Sequence, residues 1–248
     1  KEIEQLKKEK NAVILAHYYV NDEVQEIADY IGDSYYLAKV AREVDAKTIV
    51  FCGVSFMGES AKILNPNKTV LMPDMSADCP MAHMADKDEI LALREKYDDI
   101  AVVCYINSTA ELKKYSDVCV TSSNAVKIVK NLPNKNIFFI PDRNLGSYVA
   151  KQCPDKNFIF NNGCCPRHVV ITKDMVLKAK ELHPEARFAA HPECTEDVLA
   201  LADYVGSTSG IIDYVVDTDC EEFIIATVDG VFGEIRKKAP GRQEALYS

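Results

Sequence analysis

Residues 100–104 read Ile-Ala-Val-Val-Cys, a short apolar run that is mostly β-branched. Such a run predicts a strand buried on both faces. Two similar runs follow at Val118–Val120 and Ile137–Ile140, and the segment Asn124–Lys130 between them has the character of a helix. Buried strands joined by helical crossovers are typical of parallel sheets. This stretch therefore predicts an α/β fold.

The same alternation extends to both ends of the chain. Six further strand-like runs are Ala12–Ala16, Thr48–Cys52, Thr69–Met72, Arg187–Ala190, Tyr204–Val205 and Phe223–Ala226. Between the first two, Val24, Ile27, Ala28 and Ile31 follow the spacing of an amphipathic helix. We therefore expect parallel sheets covered by helices on both faces.

The nine runs fall into three groups of three. Their leading strands begin near Asn11, Ile100 and Arg187, so the pattern recurs about every 88 residues. This period predicts three βαβαβ units, at residues 1–85, 86–170 and 171–248. If the three sheets face one another, the carboxyl ends of their strands meet around one polar cavity.

Composition restricts the class of protein. The chain has 248 residues, 48% hydrophobic and 27% charged, as in ordinary globular proteins and unlike disordered ones. No apolar run is long enough to span a membrane, and the charged residues 1–10 do not resemble a signal peptide, so we expect a cytoplasmic protein. A net charge of −9 argues against nucleic acid as a partner and favours a small polar ligand.

Polar side chains follow the predicted strands, where open parallel sheets bind ligands. They include His17 and Tyr19, Tyr105 and Asn107, and His191 and Glu193. Hydroxyl residues at Ser34, at Ser122 and Ser123, and at Ser207, Thr208 and Ser209 lie beside predicted helix starts. There they suit either helix capping or the binding of an anion, and the sequence leaves both roles open.

Nine cysteines cannot all be paired, and a reducing compartment favours metal binding or catalysis over disulfides. Cys52, Cys104 and Cys119 lie in apolar runs, which predicts plain core positions. Cys79 and Cys165 instead precede prolines in polar turns and are separated by about the repeat period. A metal or cluster held by one thiolate from each unit would need a third cysteine just beyond Ser248.

Many short strings, in order along the chain, resemble the quinolinate synthase family. They are His17-Tyr18-Tyr19, Phe56-Met57 followed by Glu59, Lys62-Ile63-Leu64-Asn65-Pro66, Cys79-Pro80-Met81-Ala82, Tyr105-Ile106-Asn107-Ser108-Thr109, Thr121-Ser122-Ser123-Asn124-Ala125, Pro141-Asp142-Arg143-Asn144-Leu145-Gly146, His191-Pro192-Glu193-Cys194 and Gly206-Ser207-Thr208. The similarity covers about residues 1–209.

This resemblance implies three pseudo-threefold-related α/β/α units, each with a small parallel sheet, around one central cavity that holds a 4Fe-4S cluster. It also implies a transferase of NAD biosynthesis that condenses iminoaspartate with dihydroxyacetone phosphate to quinolinate. By resemblance, Cys79 and Cys165 are cluster ligands, and an iron with an open position acts as a Lewis acid. An enzyme that produces iminoaspartate is then a candidate partner.

The resemblance also implies roles for individual residues. The catalytic set is Tyr19, Tyr105, His191 and Glu193, with Glu193 as a general acid/base whose pKa is raised by an enclosed site. The substrate-binding set is His17, Ser34, Tyr105, Asn107, Ser122, His191, Glu193, Ser207 and Thr208. Tyr19 and Tyr105 are expected to contact the reacting carbons.

The C-terminal part departs from the family pattern, because the third cluster cysteine lies in a segment that follows the third unit and this chain stops at Ser248 without it. We expect a chain that lacks its native C-terminus. The alternatives are substitution by Cys220, Cys194 or Cys164, or a relative that has lost the cluster. The competing function is a truncated or cluster-free relative that binds small anionic metabolites without catalysis.

Overall fold

The computed structural model describes residues 1–246, with side chains as far as Arg242. The chain divides into two compact units, Lys1–Cys79 and Pro80–Ser248. The first contains one four-stranded sheet and the second contains two, and every strand pairing is parallel. The predicted α/β class is therefore confirmed. Within the described residues, the helices are all too short or too polar to cross a bilayer.

The first unit is built on a sheet of order β2-β1-β3-β4. Its strands are β1 (Ala12–His17), β2 (Tyr30–Gly32), β3 (Thr48–Cys52) and β4 (Thr69–Leu71). Its helices are α1 (Glu2–Lys10), α2 (Asp22–Glu26), α3 (Ser34–Glu43) and α4 (Ser55–Leu64). The central strand β1 is buried over nearly its whole length, which explains its unbroken apolar sequence.

The second unit begins with a short 3-10 helix, Pro80–His83, and its first sheet has the order β6-β5-β7-β8. The strands of that sheet are β5 (Ile100–Tyr105), β6 (Val118–Val120), β7 (Asn136–Ile140) and β8 (Asn157–Phe160). The accompanying helices are α5 (Lys87–Lys96), α6 (Ala110–Lys114), α7 (Ala125–Asn131) and α8 (Arg143–Gln152).

The other sheet of the second unit has the order β10-β9-β11-β12. Its strands are β9 (Arg187–Ala190), β10 (Tyr204–Val205), β11 (Glu222–Ala226) and β12 (Gln243–Leu246). Its helices are α9 (Lys173–Leu182), α10 (Glu196–Leu199), α11 (Thr208–Asp217) and α12 (Val231–Lys238). All three sheets therefore share one strand order.

The nine predicted strands are confirmed, but each sheet has a fourth strand that the sequence analysis missed. The missed strands are β2, β8 and β12, and each lies at an edge of its sheet. An edge strand has one unpaired side, so it needs less apolar sequence than a central strand. The prediction of three strands in each unit was wrong for this reason.

Each of the three sheets has an aspartate that closes the loop after the first strand, which we call the buttress aspartate. Its main-chain N–H donates to a strand carbonyl, and its carboxylate accepts from the N–H of the same strand residue. The pairs are Asp29 with Ile14, Asp117 with Val102 and Asp203 with Phe188. A basic side chain from the helix before each sheet pairs with this aspartate: Lys7, Arg94 and Lys180. The sequence period thus corresponds to a repeated local structure.

The division into units 1–85, 86–170 and 171–248 stays a prediction, and residues 247 and 248 of the last one lie outside the described residues. Among the predicted core cysteines, Cys52 and Cys104 are buried, whereas Cys119 is exposed. The core assignment of Cys119 was wrong because β6 lies at the edge of its sheet.

Candidate functional site

In the first unit, His17 ends β1 and is buried. The main-chain N–H of Tyr19 donates to its Nδ1 at 3.2 Å, and the two rings meet edge to face with centroids 4.5 Å apart. Since Nδ1 accepts this bond, Nε2 carries the proton of the neutral ring. The turn after β1 therefore fixes the orientation of the His17 imidazole and sets it as a donor.

Ser34 is the first residue of α3, and Asp33 is the cap, accepting a hydrogen bond from Tyr36 N. Ser34 is half-buried, and its anion-binding role stays a prediction. Cys79 is also half-buried, in a turn held by Asp78. Oδ1 of Asp78 accepts from Cys79 N at 2.8 Å and from Ser55 Oγ at 2.6 Å, so this turn positions the Cys79 thiol.

In the second unit, Cys165, His168 and Glu193 form a buried cluster whose ligand-type atoms lie within 4.8 Å of one another. Nδ1 of His168 lies 2.7 Å from Glu193 Oε2 and 3.1 Å from Cys165 Sγ. The other ring nitrogen, Nε2, lies 3.1 Å from Oγ1 of Thr227, which directly follows β11. The main-chain N–H of His168 donates to the carbonyl of Cys165, and this turn brings the side chains of Cys165 and His168 to the same side.

His191 and Glu193 follow β9, as the sequence analysis predicts for a site at the carboxyl ends of strands. His191 stacks on His168 with ring centroids 4.8 Å apart, and its Nε2 lies 3.3 Å from Ser122 Oγ. Glu193 O accepts from Asn144 Nδ2 at 3.0 Å. Loops of the two sheets in this unit therefore bring Ser122, His191 and Glu193 together.

The charge of Glu193 differs from the expectation. Burial would raise its pKa, but attraction to His168 and His191, together with hydrogen bonds from His168 and Tyr105, outweighs burial and lowers the pKa to about 2. The expected raised pKa was wrong because the sequence does not show that His168 packs against this carboxylate. Glu193 is consequently a carboxylate at neutral pH and a proton acceptor.

Two neighbouring acids, Cys165 and Asp142, have a raised pKa, in contrast to the lowered pKa of Glu193. Burial, and then the negative charge of Glu193, raises the pKa of the Cys165 thiol and that of Asp142. Oδ1 of Asp142 accepts from the N–H groups of Asn144 and Leu145 at the start of α8. A thiol in this setting ionises only if a cation compensates for the charge, as a cluster iron does. The donor chemistry of Cys165 thus fits a metal-bound thiolate.

The remaining predicted residues of this unit lie at strand and helix ends. Tyr105 ends β5 and is buried. Within the side chains described, the buried Oδ1 of Asn107 lacks a hydrogen-bond partner, as in a group that awaits a ligand. Ser207 caps α11 by accepting from Gly210 N at 3.3 Å, and Thr208 begins that helix. Capping accounts for Ser207, so its role in anion binding stays a prediction.

Two of the proposed substitutes for a third cluster ligand do not suit that role. Cys194 packs in the apolar core beneath β9, and its Sγ donates to the carbonyl of Ala226 at 3.6 Å within that core. Cys220 precedes β11 and donates to Glu222 O at 3.2 Å, whereas Thr227 follows the other end of the same strand. Cys164 is half-buried and directly adjacent to Cys165.

The sequence analysis missed His168 as a site residue. In the string Cys164-Cys165-Pro166-Arg167-His168, a site role was predicted only for Cys165. The available signal was the three-residue spacing, because one turn of a helix-like bend places such residues on the same side.

Comparison with known proteins identifies the family to which the chain belongs. The family model of the quinolinate synthetase A protein matches residues 1–247. Proteins called quinolinate synthase are similar over nearly the whole chain: 59% identical in Fusobacterium nucleatum over 97% of this chain and 80% of the relative, and 54% in Caldicellulosiruptor saccharolyticus over 98% and 80%. The one from Clostridioides difficile is 52% identical over 97% of this chain and 79% of its own. The chain therefore belongs to the quinolinate synthase family of enzymes.

Proposed function

We propose that this enzyme condenses iminoaspartate with dihydroxyacetone phosphate to form quinolinate, releasing water and inorganic phosphate. The observation that carries this proposal is the buried carboxylate of Glu193, held between His168 and His191 beside the Cys165 thiol. Ring formation requires protons to be removed from carbon and nitrogen and returned to departing oxygens. A fixed carboxylate with histidine neighbours supplies such transfers.

Cys79 and Cys165 are proposed to hold a 4Fe-4S cluster by their thiolates. When bound, such a cluster with an open iron supplies a Lewis acid that favours the loss of substrate hydroxyl groups as water. The proline after each cysteine fixes the chain direction at both turns. No residue with a described side chain is assigned here as the third thiolate.

Each substrate carries negative charge, and the chain itself has a net charge of −9, so local donors must hold these anions. In this proposal, donors at strand ends bind the carboxylates: His17 through Nε2, Asn107 through its amide, and Ser122, which Nε2 of His191 contacts. The phosphate is placed at a helix N-terminus, at α3 through Ser34 or at α11 through Ser207 and Thr208. Tyr19 and Tyr105 are proposed to contact the reacting carbons.

Iminoaspartate is an unstable imine that water hydrolyses, so an enzyme that generates it is a natural partner of this one. We propose a cytoplasmic site of action, where the cluster meets a reducing environment. The competing proposal is a relative that binds small anionic metabolites without catalysis.

The experiment that separates the two proposals is an anaerobic assay of quinolinate formation from the two substrates after reconstitution with iron and sulfide. Product formation that is lost in the Glu193→Gln variant supports catalysis. Iron-loaded protein that binds quinolinate in calorimetry but forms no product supports the binding role and contradicts the proposed reaction.

A further inference from the structure

We propose that Cys104 and Cys119 form a redox-reactive dithiol that a small-molecule disulfide, such as oxidised glutathione, converts reversibly into a cross-strand disulfide. The proposal does not depend on the proposed reaction. It rests on the geometry of the sheet β6-β5-β7-β8, in which these two residues lie side by side.

The register of the sheet brings the two cysteines together. β5 and β6 pair in parallel, and Cys104 is the direct partner of Cys119. Neighbouring strands lie about 4.8 Å apart, and residues in register project to the same face of the sheet. This separation is within the range that disulfides span between Cα atoms.

Accessibility divides the pair into two roles. Cys119 lies on the edge strand β6 and is exposed, so it can meet a reagent from solution. Cys104 is buried on the neighbouring strand β5, and only a group already within the protein can reach it. In such a pair the exposed Cys119 reacts first with the reagent, and the buried Cys104 then displaces the reagent from Cys119.

The surroundings of Cys104 favour its thiolate. The hydrogen bond from Cys119, helped by the charge of Lys113, outweighs burial and lowers the pKa of Cys104 to about 7. A thiolate present near neutral pH is the form that attacks a disulfide. Such activation is unnecessary at a plain core position.

The reaction balances without any further reagent. The Cys119 thiol passes its proton to the Cys104 thiolate along their hydrogen bond as its sulfur attacks oxidised glutathione, which forms a mixed disulfide and releases one glutathione thiolate that takes this proton from Cys104. The Cys104 thiolate then attacks the Cys119 sulfur and releases the second glutathione. The proton of Cys119 ends on the first released glutathione, the second glutathione leaves as a thiolate in place of the Cys104 thiolate, and glutathione gains the two electrons that the protein loses.

The location gives this modification a route to the site. Cys104 Sγ donates to the carbonyl of Tyr105 at 3.4 Å, and Tyr105 begins the segment that includes Asn107. A disulfide removes this S–H donor and draws the sulfur toward the edge strand. Oxidation therefore alters the anchoring of Tyr105.

The test uses peptide mapping, because trypsin separates the two cysteines. Cleavage after lysine releases residues 97–113, with Cys104 as their only cysteine, and residues 115–127, with Cys119 as their only cysteine. Purified protein is incubated anaerobically with oxidised glutathione, its remaining thiols are blocked, and the digest is analysed by mass spectrometry. We expect the two peptides joined through sulfur, and we expect the joined species to disappear after treatment with dithiothreitol.

Two variants make the outcome decisive. The Cys220→Ser variant keeps the Cys104–Cys119 pair and should give the joined peptides in the same yield as the natural sequence. The Cys119→Ser variant should give none and should leave peptide 97–113 with a blocked thiol. Joined peptides absent from the natural sequence, or glutathione retained on Cys119 without exchange to Cys104, would overturn the proposal.

Discussion

His168 Nδ1 lies 2.7 Å from Glu193 Oε2, and both side chains are almost wholly buried. The contact joins the turn that carries Cys165 to the loop after β9. Because an unpaired buried carboxylate is costly, this contact favours the ionised form of Glu193, together with His191 and Tyr105. The Cys165 thiol and the Glu193 carboxylate therefore belong to one cluster of contacting side chains.

The first prediction concerns Glu193 as the proton acceptor. Replacement by Gln keeps the shape but removes the basic oxygen, so kcat for quinolinate formation should fall by about 100-fold or more. The Glu196→Gln variant is the matched control, since Glu196 is an exposed residue that pairs with Lys151 at the surface. Steady-state kinetics on both variants checks this, and a Glu193→Gln enzyme with the kcat of the control would show that Glu193 transfers no essential proton.

A second prediction treats His168 as a positioning residue. His168→Gln should lower kcat by about 10- to 100-fold, the usual cost of removing a group that orients a functional side chain. The pKa of Glu193 should then rise, because an attraction that lowers it is removed, and the acid limb of the pH–rate profile should move to higher pH.

His183→Gln is the control for that experiment. His183 pairs with Glu222 at 2.6 Å, and Glu222 begins β11, at the opposite end of the strand from Thr227. This variant should keep kcat and its pH profile. An unchanged pH profile in the His168 variant would mean that His168 has no influence on Glu193.

The third prediction concerns the buttress aspartate of the last sheet. Burial would raise the pKa of Asp203, but the hydrogen bond from Phe188 N and the charges of Lys180 and Arg187 lower it below 3.8. A lowered folded-state pKa gives stability that is present above the unfolded-state pKa and is lost as pH falls through the folded value. Asp203→Asn should therefore reduce the free energy of unfolding by about 1–2 kcal/mol at pH 7.

Urea unfolding followed by circular dichroism measures this difference. It should shrink as the pH falls below 3.8 towards the lower folded-state pKa, where the carboxylate of the folded protein takes up protons. The exposed residue Asp213 offers a control, and Asp213→Asn should change stability little at either pH. A deficit of the Asp203 variant that is equal at both pH values would exclude the charge as its source.

The central strands and the edge strands β4, β6 and β10 were predictable from sequence, whereas the edge strands β2, β8 and β12 were not. The central strands β1, β5 and β11 need apolar side chains on both faces. Apolar runs such as Ile100–Tyr105 therefore indicate buried strands directly. β2 and β8 each pair with a neighbouring strand on one side only, and their short sequences resemble loops. The same edge effect explains why Cys119 is exposed although its run looks apolar.

The site was predictable where position along a strand determines it. His191 and Glu193 follow β9 and Ser122 follows β6, and the structure brings Ser122 and His191 together. The contact of His168 with Glu193 depends on tertiary packing, which no local pattern reveals. For the same reason the direction of the pKa shift of Glu193 could not be derived from its neighbours in sequence.

The most direct test of the account is iron and sulfide analysis of anaerobically purified protein, with the visible spectrum recorded. We expect the natural sequence to bind a cluster, Cys79→Ala and Cys165→Ala to abolish the bound iron, and Cys104→Ala to leave it largely in place. A natural protein that is colourless and free of iron, or equal iron in all three variants, would contradict it.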